Sequence, residues 1–339
     1  MKKILVTGGG GYIGSHTLVD LIEHGFEVIS IDNFSRSYAS SLDGVEEITG
    51  KKVKNYEIDL CNLRDLQAVF EQNKDIEGII HFAAYKSVPE SVEKPLLYYR
   101  NNMDSLFNIL DCCRQFSVNN FVFSSSCSVY GNPDKLPVTE STPLKKAECA
   151  YAATKQMGEM VLEDTANNLN INSIALRYFN PVGAHTSSLI GERSIDKPNN
   201  LLPIITQTAA GILDKVTVFG SDYDTRDGSC IRDYIHVMDI AHAHTKALQY
   251  LLAEVKKPFY QVLNLGSGNG ISVLEIIKSF EKVSGEKLNY ELGPRRAGDV
   301  IAVYADNAKA KSTLQWELKQ DTDSMLQTAW AWQKTLLNK

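Results

Sequence analysis

Four consecutive glycines near the amino terminus restrict what this chain can become more than any other feature. Lys3–Thr7 reads as a short strand and runs directly into Gly8-Gly9-Gly10-Gly11-Tyr12-Ile13-Gly14, after which a helical pattern covers Ile13–His24. A strand, a tight glycine turn and a helix start together make a pyrophosphate site. The turn lets the backbone approach the phosphates, and N–H groups at the positive end of the helix dipole bind the charge without Lys or Arg. Both Gly9-x-Gly11-x-x-Gly14 and Gly8-x-x-Gly11-x-x-Gly14 satisfy the dinucleotide spacing. The strand before and the helix after distinguish this run from an ordinary glycine turn.

The following residues alternate in the same sense. Glu27–Ile31, Val53–Ile58, Gly78–Phe82 and Asn120–Ser124 read as strands, and Leu63–Gln72, Leu97–Phe116 and Tyr151–Asn168 as helices. Buried strands alternating with helices predict an α/β fold with a Rossmann-type, doubly wound parallel sheet. Asn180–Asp233 is richer in Gly, Pro, Asn and Asp around one helix near Leu202–Leu213. A helix at Val237–Leu252 and a strand at Gln261–Leu265 then return to the sheet. The expected organisation is therefore a cofactor domain of residues 1–180 with 236–265, and a smaller mixed domain of 181–235 with 266–339.

Asp32 follows Gly14 at the end of the second strand, where a carboxylate accepts from both ribose hydroxyls and repels a 2′-phosphate, favouring NAD over NADP. Arg36 lies near enough to soften that preference, and a turn role before Asn33 is the plainer alternative. Asp59-Leu60, after the third strand, offers a place for the adenine. Charge does not extend this phosphate site. Lys plus Arg number 35 against 41 Asp plus Glu, a net −6, which gives no general attraction to nucleic acid or anionic membrane. Ile4-Leu5-Val6 after Lys2-Lys3 is too short for a signal peptide, and no run approaches the ~18 apolar residues of a span. The six cysteines show no CxxC spacing and read as reduced thiols of a cytoplasmic protein.

Tyr151-Ala152-Ala153-Thr154-Lys155 places a phenol and an ammonium at i and i+4, on one helical face. A phenol with pKa near ~10 is a poor base until a cation and a positive nicotinamide favour its ionised form. Ser124-Ser125-Ser126 ends the fifth strand, on the side where a doubly wound sheet binds ligands, so Ser126 can assist Tyr151. His242 and His244 stand at i and i+2, face apart and form no metal pair, while His81 reads as a core histidine and Trp330/Trp332 as packing. No metal site is expected.

These residues resemble the extended short-chain dehydrogenase/reductase family, in its sugar-nucleotide epimerase branch. The matching blocks are Gly8–His16, Ile31–Ser35, His81–Val88, Phe123–Gly131, Tyr151/Lys155, Arg177–His185, Asn199–Pro203, Val218–Val237 and Pro294–Asp299, so the resemblance spans the chain. It implies an isomerase that interconverts UDP-glucose and UDP-galactose at C4 through a 4-keto intermediate, with tightly bound NAD. It implies NAD contacts from Gly8, Gly11, Tyr12, Ile13, Gly14, Asp32, Asn33, Asp59, Leu60, Phe82, Lys86, Lys155 and Tyr178. Tyr151 would be the base, assisted by Ser126 and Lys155. Asn180, Arg232 and Arg296 would meet the UDP diphosphate and Asp299 the ribose, with Asn199, Asn200, Leu201 and Phe219 around the nucleotide. Ser126, Cys127, Ser128, Tyr178, Phe179 and Val303 would complete the substrate wall.

Further implications are a homodimer, with Leu97–Phe116 as the contact, and no nucleic-acid or membrane partner. Valine at 303, where a larger tyrosine restricts the sugar 2-substituent, implies activity on UDP-N-acetylglucosamine as well. Two departures stand out. Cys149-Ala150 and Ala152 flank the base where Asn-Pro and Gly are usual, which questions the local helix start. Arg226 replaces a usual glutamate and reads as a neutral surface change. A related 4,6-dehydratase would need an Asp-Glu pair where Cys127-Ser128 stand, and an inactive NAD-binding regulator would not need Ser126, Tyr151 and Lys155. Arg232 beside Asp233 has a structural ion pair as its alternative role.

Overall fold

A computed structural model describes residues 1–195, 197–253, 258–296 and 299–338. Ala297 and Gly298 of the Pro294–Asp299 block lie outside the described residues. The strands are β1 Lys3–Thr7, β2 Glu27–Ile31, β3 Lys54–Tyr56, β4 Ile76–His81, β5 Asn120–Ser126, β6 Asn172–Tyr178, β7 Asn180–Val182, β8 Val216–Phe219, β9 Ile231–His236, β10 Tyr260–Leu265, β11 Gly270–Ser272, β12 Tyr290–Gly293 and β13 Ala302–Val303. Helices α1 Tyr12–Glu23, α2 Ser40–Thr49, α3 Leu63–Gln72, α4 Val88–Glu93, α5 Pro95–Tyr99 and α6 Ser105–Phe116 belong to the first half. They are followed by α7 Ala150–Leu169, α8 Leu201–Ala209, α9 Val237–Leu252, α10 Val273–Ser284, α11 Ala308–Leu314 and α12 Thr322–Leu337.

Seven strands form one sheet in the order β10-β6-β5-β4-β1-β2-β3, with every pair parallel. The chain is thus the α/β, Rossmann-type fold expected. Strand order reverses between β1 and β4, and the carboxyl ends of strands at such a point open the ligand crevice. One face buries Leu18, Leu21, Ile240 and Leu248 of α1 and α9, and the other buries Leu66, Phe70, Leu106, Ile109 and Leu162 of α3, α6 and α7.

The expected Leu97–Phe116 helix is interrupted. Residues Arg100–Asp104 form a π-turn between α5 and α6, a feature that often marks functional sites. There Asn102 accepts from the Tyr85 N–H at 2.8 Å and donates to Thr154 Oγ1 at 3.1 Å, tying the turn to α7. α7 itself starts without strain despite its unusual flank. Cys149 is extended (φ −154°, ψ 165°), and its carbonyl accepts from the Ala153 N–H at 3.0 Å. Arg226 lies exposed on the surface, where it pairs with both oxygens of Glu275 and donates to the Gly270 carbonyl at 2.6 Å.

The remaining strands are short. β9 carries β11 antiparallel, while β7 and β13 pair with it in parallel, and β8 pairs with β12. Helices α8, α10 and α12 pack beside them over Leu202, Ile205, Ile276, Phe280, Leu326 and Trp330. A fourth apolar cluster of Val129, Tyr130, Val138, Phe179, Val303 and Ala305 lies where β5 and β6 end and β13 begins.

Candidate active site

The register of the large sheet aligns the predicted residues. Thr7 pairs with Ile31 and with His81, and Ser126 with Tyr178, so Gly8, Asp32, Phe82, Ser126 and Tyr178 all stand at the carboxyl edge. Gly8 turns the chain with φ +71°, and its N–H donates to the Ile31 carbonyl at 2.7 Å. A Cβ at Gly14 would lie 2.1 Å from the Gly8 carbonyl oxygen, so only glycine lets α1 press this closely on the turn. No side chain caps α1 at Gly11, which leaves the first N–H groups, from Tyr12 and Ile13, facing the turn. That cradle fits a dinucleotide diphosphate.

Asp32, 9% exposed, accepts from the Gly10 N–H at 2.9 Å, the Phe34 N–H at 2.9 Å and Ser37 Oγ at 2.8 Å. It therefore serves as a turn residue and also keeps its carboxylate on the glycine loop. Asn33 and Asp59 are exposed and Leu60 is buried; Asp59 accepts from the Cys61 N–H at 2.9 Å. Tyr12 donates to the Gly183 carbonyl at 2.6 Å. The rings of Phe82 and Tyr178 stand 4.6 and 5.8 Å from that of buried His244. Lys86 Nζ lies 3.4 Å from Glu192 Oε1, the same oxygen that accepts from Asn200 at 2.6 Å. Glu192, which sequence reasoning missed, joins a predicted cofactor residue to a predicted substrate residue. Its loop carries no periodic signal that could have marked it. His81 is the core histidine expected: its Nδ1 lies 2.8 Å from Thr7 Oγ1, and burial pushes its pKa down to about 3.

Lys155 is 4% exposed and donates from Nζ to the Ser124 carbonyl at 2.6 Å and to Ser124 Oγ at 3.2 Å. Its Nζ is 5.8 Å from the centre of the Tyr151 ring and 4.7 Å from that of Phe123. Burial drives Lys155 down to about 7, opposed by Glu159, and pushes Tyr151 up to about 12, opposed by a hydrogen bond with Ser126. The sequence predicts a phenol lowered by its cation. In the protein alone desolvation is the larger effect, because the same burial that brings the two groups together penalises both charges. Ser126 Oγ also accepts from the Ser128 N–H at 3.2 Å, while Ser128 Oγ has no hydrogen-bond partner among the described residues.

Across the crevice, Asn180 donates to the Asp233 carbonyl at 2.9 Å, and Val303 pairs with Arg232 in the β13–β9 register. Asp299 gathers the arginines: Arg296 donates to it at 2.7 Å and Arg232 approaches it at 3.7 Å. Arg296 also stacks 5.4 Å from Phe219. The expected diphosphate residues and the expected ribose acceptor thus form one ion-paired cluster. Arg232 does not pair with Asp233, whose buried carboxylate accepts from Ser267, Gly268 and the Ala305 N–H. Asn199 and Asn200 are exposed ahead of Leu201, the first residue of α8. Phe179 and Val303 are 4% and 5% exposed, in the apolar cluster against which Cys127 packs.

A glycine turn at the sheet's switch point, with Ser126 at the end of β5 and Tyr151 and Lys155 on the first turns of α7, defines a dinucleotide-dependent site of the short-chain dehydrogenase/reductase class. The model of the GDP-mannose 4,6 dehydratase family matches residues 5–329. UDP-glucose 4-epimerase of Bacillus subtilis (strain 168) is 48% identical over 336 residues, 99% of this chain and 98% of that protein. Among solved structures, UDP-glucose 4-epimerase from Bifidobacterium longum, in complex with NAD+ and UDP, superposes with a TM-score of 0.94 at 42% identity, covering 99% of both chains. The UDP-Glc/GlcNAc 4-epimerase from Campylobacter jejuni gives 0.84 at 39% identity, covering 99% of this chain and 100% of that one. The chain belongs to the UDP-glucose 4-epimerase family, within the extended short-chain dehydrogenases/reductases.

Proposed function

We propose that this chain is an NAD-dependent isomerase that interconverts UDP-glucose and UDP-galactose by inverting C4. The observation that carries the reading is the meeting of Ser126, Tyr151 and Lys155 at the sheet edge beside the glycine turn, with the Arg232–Arg296–Asp299 cluster opposite. Bound NAD supplies a hydride acceptor that becomes the hydride donor again, and a positive ring that favours the phenolate.

The chain's own groups do the rest. Tyr151 takes the proton of the sugar 4-hydroxyl and returns it after the sugar turns over. Ser126, hydrogen-bonded to the phenol, holds it in place and is positioned to bond the same sugar oxygen. Lys155 holds positive charge under the phenol, fixed by Ser124. Residues 1–180 and 236–265 hold the cofactor, with Tyr12, Ile13, Asp32, Asn33, Asp59, Leu60, Phe82, Lys86 and Tyr178 as its contacts. Residues 181–235 and 266–339 hold the sugar nucleotide. In that half Arg232 and Arg296 exchange Asp299 for the UDP diphosphate, since guanidinium groups suit bidentate phosphate contacts. Anchoring the nucleotide leaves the sugar free to present either face of C4.

Valine at 303 is smaller than the tyrosine that restricts the sugar 2-substituent, which supports UDP-N-acetylglucosamine as a second substrate. Elimination of water would need a carboxylate pair beside Ser126, and Cys127 and Ser128 occupy that place. Val88, Val92, Leu96, Leu97, Phe107 and Met160 are 41–70% exposed on α4, α5, α6 and α7, an apolar face that a second copy covers in a homodimer. Leu97 and Phe107 belong to the segment expected to make that contact. No helix among the described residues is long and apolar enough to cross a membrane, and the six cysteines are free, which suits a reducing cytoplasm.

The test is an epimerisation assay of the purified protein, without added NAD, on both UDP-glucose and UDP-N-acetylglucosamine. Both sugars are expected to turn over. Tyr151→Phe is expected to lower kcat by ~10²–10⁴-fold, and a wild-type rate in that variant would remove Tyr151 from the mechanism.

A further inference from the structure

Behind the reacting face of α7 lies a buried ion pair to which the mechanism above assigns nothing. Glu159 is 4% exposed and stands about one helical turn beyond Lys155 and two beyond Tyr151. Its Oε1 accepts from Ser125 Oγ at 2.5 Å and from Arg177 Nε at 2.8 Å, and its Oε2 accepts from Arg177 at 2.5 Å. Arg177, also 4% exposed, donates to Tyr130 Oη at 3.0 Å. Ser125 and Arg177 pair in the β5–β6 register, directly before Ser126 and Tyr178. One carboxylate therefore joins α7, β5 and β6 at the level of the reacting groups.

A buried pair of this kind is weak ground for stability, because desolvating two charges is costly and apolar groups of equal volume often serve as well. What an apolar pair lacks is charge. Lys155 is buried, and its direct partners are the neutral oxygens of Ser124. The groups facing it are Tyr151 on its own helix, His81 from β4 and the aromatic face of Phe123 from β5. Burial keeps His81 neutral, so His81 and Phe123 bring no negative charge to the ammonium. Glu159 is the carboxylate that acts on Lys155, and it faces Arg177 on β6, Ser125 on β5 and Tyr260 on β10.

We propose that Glu159 is a positioning residue of the epimerase reaction: held by Arg177 and Ser125, it fixes the turn of α7 that carries Lys155 and keeps the ammonium charged beneath Tyr151. The inference rests on the epimerase reading of the same site.

Kinetics of Glu159→Gln, of the double variant Glu159→Gln/Arg177→Met and of Ser125→Ala test it, with wild type in parallel. Glu159→Gln should lower kcat by ~10-fold or more while KM for UDP-glucose stays within about 2-fold. The alkaline limb of its kcat–pH profile should move down by on the order of one unit, because Lys155 loses its proton sooner. The double variant removes both charges together and leaves no unpaired arginine, so a merely structural pair would recover wild-type kcat and limb. A positioning role predicts that both deficits persist. Ser125→Ala keeps the charges and should lower kcat by roughly 2- to 10-fold. A folded Glu159→Gln or double variant with wild-type kcat and limb overturns the proposal; where neither folds, wild-type kcat in Ser125→Ala does so. An inactive wild type would instead contradict the epimerase reading itself.

Discussion

On the proposed reading, the cofactor half and the sugar-nucleotide half would hold phosphate by opposite means. In the first, backbone does the work: the uncapped start of α1 and the Gly8–Gly14 turn offer N–H groups, while the Asp32 carboxylate beside them already accepts from Gly10, Phe34 and Ser37. In the second, Arg232 and Arg296 carry the charge on side chains parked on Asp299. A backbone site fails when an atom is added, and a side-chain site fails when one is removed. That contrast is what substitutions can break.

Gly14→Ala should have the largest effect in this set. Its Cβ meets the Gly8 carbonyl oxygen at 2.1 Å, so the turn must open, and overpacking of this kind costs about 1–3 kcal/mol. Purified Gly14→Ala is expected to retain little NAD, by absorbance of the released nucleotide, and to lose activity in proportion. Arg232→Met should leave NAD content untouched and raise KM for UDP-glucose by roughly 10-fold or more, the worth of a charged hydrogen bond. Arg296 still neutralises Asp299 in that variant, so its melting temperature should stay near wild type. Equal NAD loss in both variants would break the division between the halves.

The smallest effect sharpens the comparison by pH. Burial holds His16 and His81 at about 3 and His236 and His244 at about 4, against an ordinary 6.5. Between about pH 6.5 and 4 the unfolded chain binds protons that the folded chain does not, so this stability is present near neutrality and is lost as pH falls. All four lie within residues 1–180 and 236–265: His16 on α1, His81 on β4, His236 at the start of α9 and His244 on α9 itself. The melting temperature should therefore fall by several degrees from pH 7 to 5, with release of NAD accompanying it. A flat melting profile over that range would contradict the assignment.

What the sequence made legible follows the same division. The glycine turn, Asp32, Ser126 and Tyr151/Lys155 sit on regular elements whose periodicity and strand ends place them, and the parallel sheet follows from strands too apolar to be half exposed. The π-turn at Arg100–Asp104 left no mark, because five residues of wider helix keep the same apolar pattern. Glu192 and the pairing of Arg296 with Asp299 were hidden for another reason: Lys86 reaches Glu192 from a distant segment, and Arg296 and Asp299, only three residues apart, lie in irregular backbone where no periodicity marks a pair. Glu159 was hidden in plain view, since a glutamate on a helix reads as exposed until Arg177 arrives from β6.

The central claim is that hydride leaves C4 and returns to the same carbon without reaching water. UDP-glucose deuterated at C4, run to equilibrium with the purified protein and no added NAD, tests it most directly. UDP-galactose is expected to carry the full label at C4. Product with the label lost to solvent would contradict it.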